Sequence, residues 1–347
     1  MRPYLEGSFG DAGRLHAEGR ATRVALENAR EQVASFFGAR PREVVFTSSG
    51  TEAVNTAVFG ASARGAHVVT TAVEHSSVRD AVARLGAEVT VVGVDRFGRV
   101  DASEVLHAVR ADTALVNVQL ANHEVGTLQP AAEICATLRE HSTLVHVDAC
   151  AGAGHVPVDF GALGADLCSV TAHKFGGPLG AGALLVRRGV RIPPLLVGGA
   201  QERARRGGIE NIPAWVGFGA ACAAVDLEVE SAVQRALIDR AATVVDRVPD
   251  VERFGDGSLP NLLCLGVGGV EAEPILLALD QRGVAVHSGS ACSSETLEPS
   301  PILEAMGADA DRTLRASVGW SSTTTDIERF VEVFPGIVER LRGLRAV

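Results

Sequence analysis

The stretch LVHVDACAGAGHVPVDFGALGADLCSVTAHKFGGPLGAGALLVR, residues 144–187, decides the fold of this chain. Its first apolar run ends at the carboxylate of Asp148, and its second, LCSV, leads into a glycine-rich loop that contains Lys174. A third apolar run, GALLV, follows this loop. Apolar runs of about four to eight residues between turn signals predict buried strands. Open α/β sheets bind ligands at the carboxyl ends of their strands, so Asp148 and Lys174 are expected to face one ligand.

This pair of side chains suggests a cofactor. Pyridoxal phosphate (PLP) requires a carboxylate for its pyridinium nitrogen and a lysine amine that forms a Schiff base with its aldehyde. A single loop lysine is more often a solvated surface residue, so Lys174 taken alone favours the simpler interpretation. The rest of the chain favours the cofactor site.

The composition predicts a globular α/β protein of two domains. The chain has 347 residues, 46% of them hydrophobic and only 4% aromatic, which is too long for one ordinary core. The formal net charge of -10 argues against direct binding of nucleic acid. No apolar run reaches the length of a membrane span, and the N-terminus lacks the core of a signal peptide. We therefore expect a cytoplasmic protein with neither nucleic acid nor membrane as partner.

Strands and helices alternate through the first two thirds of the chain. This alternation predicts a mostly parallel sheet with helices on both faces. Helices are predicted at 15–37, from near Thr51, from Ser76 and at 131–140. Strands ahead of the opening stretch are predicted at 44–47, 67–73, 88–94 and 113–120.

Polar residues follow the ends of several of these strands. His75, Asn122, Asp148 and Lys174 all come directly after apolar runs, so they are expected at one edge of the sheet. The turn SSGT before the helix near Thr51 offers free N–H groups and hydroxyls, as phosphate-binding helix N-termini do. Each residue alone would be read as a cap or a turn residue, but four at equivalent positions favour a site.

The C-terminal part predicts a smaller α/β domain. We assign residues 12–215 to a large PLP-binding domain, and residues 1–11 and 216–347 to a small domain. Residues 212–248 predict one or two long helices. The strands and helices of the small domain are predicted at 261–267, 284–288 and 313–320 and near 273–282, 299–306 and 325–343.

The six cysteines form no C-x-x-C pair and no metal-ligand spacing, so no metal site is expected. Four of them lie in apolar runs and are predicted to be buried hydrophobic residues: Cys135, Cys168, Cys222 and Cys264. Cys150 lies just past the Asp148 strand, where a packing role is favoured over a place near the cofactor. Cys292 differs, because it lies in a small, polar, loop-like segment at about 287–300, HSGSACSSETLEPS.

Eight motifs occur in order along the chain: SSGTEAVN, EHSSV, NHEVG, HVDA, AHKFGGPLGAGAL, RRGGIEN, SGSACSSETLEPS and LRASVG. By these motifs the chain resembles the cysteine desulfurases of the class V aminotransferase group, in the branch with a long catalytic-cysteine loop. The resemblance runs from about Gly7 to Val333. It implies PLP fold type I, a mostly parallel, seven-stranded-type sheet with helices on both faces plus a smaller C-terminal α/β domain.

The resemblance also implies roles for the residues that match the cofactor motifs. Lys174 would hold PLP covalently and move protons, and Asp148 would pair with the pyridinium nitrogen. His75 would stack on the ring and serve in acid–base steps. The implied phosphate ligands are Gly50, Thr51, Thr171 and His173.

Three further residues match the substrate motifs. Asn122 would contact the phenolic oxygen of PLP and the substrate, and Arg315 would bind the substrate carboxylate. Cys292 would take sulfur from L-cysteine as a persulfide, release L-alanine and pass the sulfur to an acceptor protein. The family resemblance further implies a homodimer. The acceptor stays open between iron–sulfur cluster assembly, tRNA thiolation, DNA phosphorothioation and sulfur-containing natural products.

Two positions depart from the family pattern. Ala151 stands where a glutamine usually contacts the phenolic oxygen, and Ile209 where a threonine usually reaches the partner subunit's phosphate. Two other interpretations therefore stay open beside the desulfurase. One is a related PLP enzyme, such as a cysteine or selenocysteine lyase or an aminotransferase, and the other is a non-catalytic scaffold.

Overall fold

The computed structural model describes residues 1–7, 10–289 and 299–345. The chain divides into two compact units, each described separately below. Unit 1 comprises residues 1–92, 102–120 and 130–225, and unit 2 comprises residues 93–101, 121–129 and 226–347. Cys292 and its neighbours in 290–298 lie outside the described residues.

Unit 1 contains a seven-stranded sheet in the order β1-β7-β6-β5-β4-β2-β3. Its strands are β1 (Val44–Thr47), β2 (His67–Thr71), β3 (Glu88–Val92), β4 (Thr113–Gln119), β5 (Leu144–Asp148), β6 (Leu167–Thr171) and β7 (Gly182–Val186). The pairs β2–β3, β2–β4, β4–β5 and β5–β6 are parallel, whereas β7 runs antiparallel to β1 and β6. The predicted mostly parallel sheet is confirmed.

Burial explains why these apolar runs form strands. Every residue of β1, β2, β4, β5, β6 and β7 is buried, and only the edge strand β3 is partly exposed. Strands covered by helices on both faces are apolar along their whole length and do not alternate. The sequence shows continuous Val-, Leu- and Ala-rich runs for the same reason.

Helices surround this sheet. They are α1 (Arg2–Glu6), α2 (Ala17–Phe36), α3 (Gly50–Ser62), α4 (Ser76–Ala83), α5 (Ala102–His107), α6 (Ala131–Thr137), α7 (Phe160–Leu163), the single turn α8 (Gln201–Ala204) and α9 (Ile212–Ala224). A close approach joins α2 to α9, because a Cβ on Gly219 would lie 2.7 Å from Cα of Ala29. The predicted helix starts near Thr51 and at Ser76 agree with α3 and α4 to within one residue.

Unit 2 contains a four-stranded antiparallel sheet in the order β10-β11-β9-β8. Its core joins residues of β9 and β11 to apolar faces of the helices α10, α11 and α13. The strands are β8 (Val251–Phe254), β9 (Leu262–Val267), β10 (His287–Ser288) and β11 (Thr313–Ser317). The helices are α10 (Leu227–Ala242), α11 (Ala272–Asp280), α12 (Pro301–Ala305) and α13 (Thr324–Arg345).

The division into units differs from the predicted domain boundaries near both ends of the large domain. Residues 1–7 belong to unit 1, because α1 packs on α9, where a Cβ on Gly217 would lie 2.7 Å from the Met1 side chain. The helix α9 also stays in unit 1, since its Trp215 is buried and stacks on Phe46 with ring centroids 4.9 Å apart.

Two inner segments, 93–101 and 121–129, belong to unit 2 although they were assigned to the large domain. Local hydrogen bonds explain this. The N–H of Leu259 donates to the carbonyl of Gly126 at 2.9 Å, and that of Asp256 donates to Oγ1 of Thr127 at 3.2 Å. Asn122 therefore belongs to a different unit from the strand that precedes it.

Within the described residues, no single helix is both long and apolar enough to cross a membrane. The consecutive helices α9 and α10 meet that length and composition only when they are taken together.

Candidate active site

The start of α3 is built to receive an anion. Oγ of Ser49 caps the helix by accepting the N–H of Glu52 at 3.1 Å. In the described part of the chain, the backbone N–H groups of Gly50 and Thr51 have no acceptor. A Cβ at position 50 would lie 2.6 Å from Sγ of Cys150, so only glycine fits there. The free N–H groups and the helix dipole together favour a phosphate group.

The basic loop after β7, residues 197–213, neutralises a carboxylate next to the start of α3. Nε of Arg206 donates to Glu52 at 2.9 Å, and the N–H of Ser48 donates to the other oxygen at 2.8 Å. Burial opposes the charge of Glu52, but these two hydrogen bonds outweigh it and lower the pKa of Glu52. The three arginines at 203, 205 and 206 have the composition of a solvated charge run, but the guanidinium of Arg206 is largely buried against Glu52.

Asp148 and Lys174 follow neighbouring parallel strands. Asp148 is the buried last residue of β5, and its Oδ1 accepts the N–H of Cys150 at 3.0 Å. Lys174 lies in a short 3₁₀ helix, Ala172–Phe175, directly after β6, and its side chain is exposed. The backbone of this turn is held, since Nε2 of His155 contacts the carbonyl of Lys174 at 3.0 Å. The turn is therefore fixed, while the amine is accessible.

His75 caps the N-terminus of α4. Its Nδ1 accepts the N–H of Ser77 at 3.0 Å, so the proton of the neutral ring is on Nε2. Burial lowers the pKa of His75, and the carboxylate of Asp148 offsets this only in part. The positive charge of Lys174 lowers the pKa of His75 as well, so Asp148 and Lys174 both lie within electrostatic range of a neutral imidazole.

Thr171 and His173 continue this edge of unit 1. Oγ1 of Thr171, at the end of β6, lies 3.0 Å from Nδ1 of His173. Burial lowers the pKa of His173, and the charge of Lys174 lowers it further. A hydroxyl and a neutral imidazole are both able to donate a hydrogen bond to an anion.

Asn122 and Arg315 lie in unit 2. Oδ1 of the buried Asn122 accepts the N–H groups of Glu124 at 2.8 Å and Val125 at 2.9 Å, which leaves its NH₂ as the donor group of the side chain. Arg315, on β11, donates from Nη1 to the carbonyl of His123 at 3.0 Å. The residue next to Asn122 therefore orients the guanidinium. Unit 1 brings together the other described candidates: Gly50, Thr51, His75, Asp148, Thr171, His173 and Lys174.

The five cysteines in the described residues are unpaired and poorly suited to act as nucleophiles. Burial raises the pKa of Cys135 to about 12, and burial together with Asp148 raises that of Cys150. A thiol reacts as its thiolate, so these groups stay unreactive near neutral pH. The predicted burial of Cys135, Cys168, Cys222 and Cys264 is confirmed. The remaining candidate, Cys292, lies outside the described residues.

The lysine content of the sequence is a stronger indication of the site than the spacing of its motifs. Lys174 is the only lysine among 347 residues, so the other 31 of the 32 basic residues are arginines. A guanidinium supplies charge and hydrogen bonds but not a nucleophilic amine near neutral pH. The exception at position 174 therefore points to chemistry that arginine is unable to perform. Two buried groups, the Arg30–Glu202 pair and Glu74, were not found from the sequence.

Comparison with known proteins identifies the family. The profile of aminotransferase class-V matches residues 1–330. This chain belongs to the class-V aminotransferase family. Within it, the chain is 40% identical over 359 residues to cysteine desulfurase IscS of Dictyoglomus turgidum, covering 99% of this chain and 91% of that protein. It is 41% identical over 359 residues to a cysteine desulfurase of Nostoc sp., covering 99% and 90%.

A solved structure described as a NifS-like protein superposes on this class-V chain with a TM-score of 0.91. That structure is 30% identical in sequence, and the match covers 98% of this chain and 94% of the other. The chain is therefore a member of the cysteine desulfurase group and shares its fold.

Class-V aminotransferases and cysteine desulfurases are PLP enzymes, and the residues of this chain fit that cofactor. The start of α3 offers unpaired N–H groups to a phosphate, Asp148 offers a buried carboxylate to a pyridinium, and Lys174 offers the single amine. Among the residues described by the structure, no group of three or more His, Cys, Asp or Glu side chains is arranged to hold a metal ion.

Proposed function

We propose that this chain is a PLP-dependent cysteine desulfurase that converts L-cysteine to L-alanine and collects the sulfur as a persulfide on Cys292. One observation carries the proposal. The only lysine of the chain follows the strand next to the one that ends in the buried Asp148. The similarity to proteins named cysteine desulfurase over almost the whole chain supports the choice of reaction.

The residues that match the cofactor motifs would hold PLP. Lys174 would bind PLP covalently, Asp148 would pair with its ring nitrogen, and Asn122 would donate to its phenolic oxygen. His75 would cover the ring. The phosphate would be held by Gly50, Thr51, Thr171 and His173. When bound, PLP withdraws electrons from the substrate carbons and so makes the Cα proton and the Cβ–S bond labile.

The side chains of the chain then divide the remaining work. Arg315 binds the carboxylate of L-cysteine, and His75, with its proton on Nε2, exchanges protons together with the Lys174 amine. The thiolate of Cys292 attacks the substrate sulfur and the Cβ–S bond breaks. The electron pair of that bond stays on carbon, which takes up a proton to give alanine. The sulfur remains on Cys292 as a persulfide.

Replacing Cys292 with alanine tests the persulfide step. The purified protein is incubated with L-cysteine and a thiol reductant, and alanine and sulfide are quantified. Wild type is expected to form both in equal amounts, and Cys292→Ala to lose about a hundredfold or more of this rate because the nucleophile is missing. Cys222→Ala, a buried cysteine far along the chain from the site residues, serves as the control.

The products separate the proposal from its rivals. Unchanged sulfide release by Cys292→Ala would reject persulfide catalysis. Pyruvate with ammonia would indicate a lyase, and an amino-group acceptor requirement would indicate an aminotransferase. A protein that binds no PLP would be a scaffold.

Replacing Arg315 with alanine is expected to raise KM for L-cysteine by about ten- to a hundredfold, since a charge-assisted hydrogen bond contributes about 1.5–3 kcal/mol. kcat should fall less. The matched control is Arg312→Ala, because Arg312 is an exposed arginine just before β11 that pairs with Asp309. Equal KM values for the Arg315 and Arg312 variants would refute the carboxylate assignment.

We also propose that the enzyme works as a cytoplasmic homodimer and passes its sulfur to an acceptor protein, for example in iron–sulfur cluster assembly. Exposed apolar side chains of unit 1 support the dimer. Five of them lie in or near the basic loop in the sequence: Leu179, Leu195, Leu196, Val197 and Ile209. Exposed apolar surface is typical of protein interfaces. Sedimentation of the purified chain measures the oligomeric state, and a monomer would contradict the proposal.

A further inference from the structure

Glu74 is a buried carboxylic acid that the proposed reaction does not use. It follows β2, directly before His75, and is only 3% exposed. Its Oε1 accepts two hydrogen bonds, from Oγ1 of Thr71 at 2.7 Å and from the N–H of Gln119 at 3.0 Å. Its Oε2 is buried and, in the described residues, has no hydrogen-bond partner.

These bonds connect Glu74 to the strand end that carries Asp148. Gln119 is the last residue of β4 and stands opposite Asp148 of β5 in the parallel pair. The side chain of Gln119 returns to the segment before Glu74, donating from Nε2 to the carbonyl of Val73 at 2.7 Å. Glu74 and Gln119 thus hold the C-terminal ends of β2 and β4 together. His75 is the residue directly after this contact.

Ionised, Glu74 would carry an uncompensated charge. No arginine, lysine or histidine in the described residues forms an ion pair with it. An oxygen without a partner makes burial of a carboxylate costly. Burial raises the pKa of Glu74 to about 8, with the negative charge of Asp148 adding to the effect and the bonds from Thr71 and Gln119 opposing it.

We propose that Glu74 is a positioning residue whose carboxyl group carries a proton in the working enzyme, so that no second negative charge lies beside Asp148. This inference rests on the proposed function, in which Asp148 pairs with the cofactor ring. The proton lies on Oε2, because Oε1 accepts both hydrogen bonds. Deprotonation would place two carboxylates at one end of the sheet and would loosen the segment that holds His75.

Three neighbouring elements define the electrostatics of this group. Thr71 at the end of β2 and Gln119 of β4 supply neutral hydrogen bonds, and among the described residues the charge that raises the pKa of Glu74 is that of Asp148 of β5. His75, next in the chain, is kept neutral near pH 7 because burial lowers its pKa. Glu74 therefore contributes a change of charge next to Asp148 near pH 8.

The sign of the effect follows from linkage. In the folded chain Glu74 releases its proton only near pH 8, whereas unfolded glutamate does so near its ordinary value of 4.5. The unfolded state is ionised between these values while the folded state is not, so wild type loses stability as pH rises through this window. Glu74→Gln removes the titration and keeps both the acceptor and a neutral donor.

The test compares urea unfolding of the purified full-length wild type and Glu74→Gln from pH 4.5 to 9. The unfolding equilibrium constant of wild type, divided by that of Glu74→Gln, is expected to rise about tenfold per pH unit and to level off above pH 8. The total rise is about three orders of magnitude. The control, Glu88→Gln, removes an exposed carboxylate whose pKa Arg110 lowers, so its ratio should stay flat above pH 5. A flat ratio for Glu74→Gln would overturn the proposal.

A second readout separates positioning from mere stability. At pH 7, Glu74→Gln should retain cysteine desulfurase activity within about threefold, whereas Glu74→Ala, which leaves two donors unsatisfied, should lose more than tenfold. We expect kcat of wild type to fall above pH 8, and this fall should be smaller in Glu74→Gln. A folded Glu74→Gln as inactive as Glu74→Ala would mean that the ionised form is required. The urea experiment does not depend on catalysis. It therefore tests the protonation of Glu74 even if the chain proves to have no cysteine desulfurase activity.

Discussion

Replacing Lys174 with alanine is expected to lower desulfurase turnover by at least a factor of about a thousand, because both a covalent anchor and a proton carrier are lost. The fold should be unaffected. The side chain of Lys174 is exposed, while the turn that carries it is held by the buried Phe175. Gly154, at φ 79°, permits that packing, because a Cβ there would lie 2.2 Å from Cβ of Phe175.

Because the chain has a single lysine, chemical labelling identifies the residue that binds PLP without competing lysines. Borohydride treatment of the wild-type protein loaded with PLP should fix one cofactor per chain on the peptide that contains Lys174, detected by mass spectrometry. Lys174→Ala has no other lysine to label. Lys174→Arg is the matched control, since it keeps the positive charge but not the nucleophilic amine.

The outcomes of the two readouts are distinct. An active Lys174→Ala variant would contradict the proposed chemistry altogether. A label on the N-terminal amine of wild type, with none at position 174, would contradict the assignment of the anchor. Activity in Lys174→Arg equal to wild type would show that only the charge at this position matters.

The sheet of unit 1 was predictable because six of its seven strands are buried along their whole length. Continuous apolar runs bounded by turns appear directly in the sequence, and the strands 44–47 and 182–186 agree with the structure at both ends. β8 was missed, since VERF is short, has two adjacent charged residues in its middle and has only one buried residue, Val251. The helix at 102–107 was missed as well, because six residues carry too little periodicity.

The candidate site was predictable where chemistry and strand ends coincide. Lys174, Asp148 and His75 all follow apolar runs, and topology then brings them to one edge of unit 1. Glu74 was not found, because a glutamate beside a helix start normally reads as a solvated cap. Its environment depends on Gln119, which is 45 residues further along. Only the fold reveals such long-range partners.

The ion pair between Arg30 and Glu202 was also hidden in the sequence. Arg30 lies on α2 among polar neighbours, and Glu202 lies in a loop that reads as a basic charge run. In the fold, both side chains are almost fully buried, at 1% and 3% exposed. The two guanidinium nitrogens reach the two carboxylate oxygens at 2.7 and 2.6 Å. Glu202 also accepts the N–H of Phe46 at 2.8 Å.

Replacing Arg30 with methionine is expected to destabilise the folded chain by about 3–5 kcal/mol, because the partner charge stays buried without compensation. The backbone conformation of the loop that contains Glu202 adds to this loss of stability. Glu202, Arg203 and Ala204 all have positive φ angles, at 48°, 60° and 62°, and left-handed backbone costs about 1–2 kcal/mol per residue when nothing holds it. The bonds of Glu202 to Arg30 and Phe46 hold this turn against the sheet.

An exposed pair in the same unit serves as the matched control. Arg110 and Glu88 form the same bidentate contact, at 2.6 and 2.9 Å, but their side chains are 39% and 66% exposed. Arg110→Met should therefore cost only about 0.2–1 kcal/mol. Urea unfolding of both variants measures the difference. Equal destabilisation by Arg30→Met and Arg110→Met would contradict the role of burial, since only the Arg30–Glu202 contact is buried. Glu202→Gln should destabilise the chain less than Arg30→Met, because the guanidinium keeps its ion pair with Glu27 at 3.2 Å.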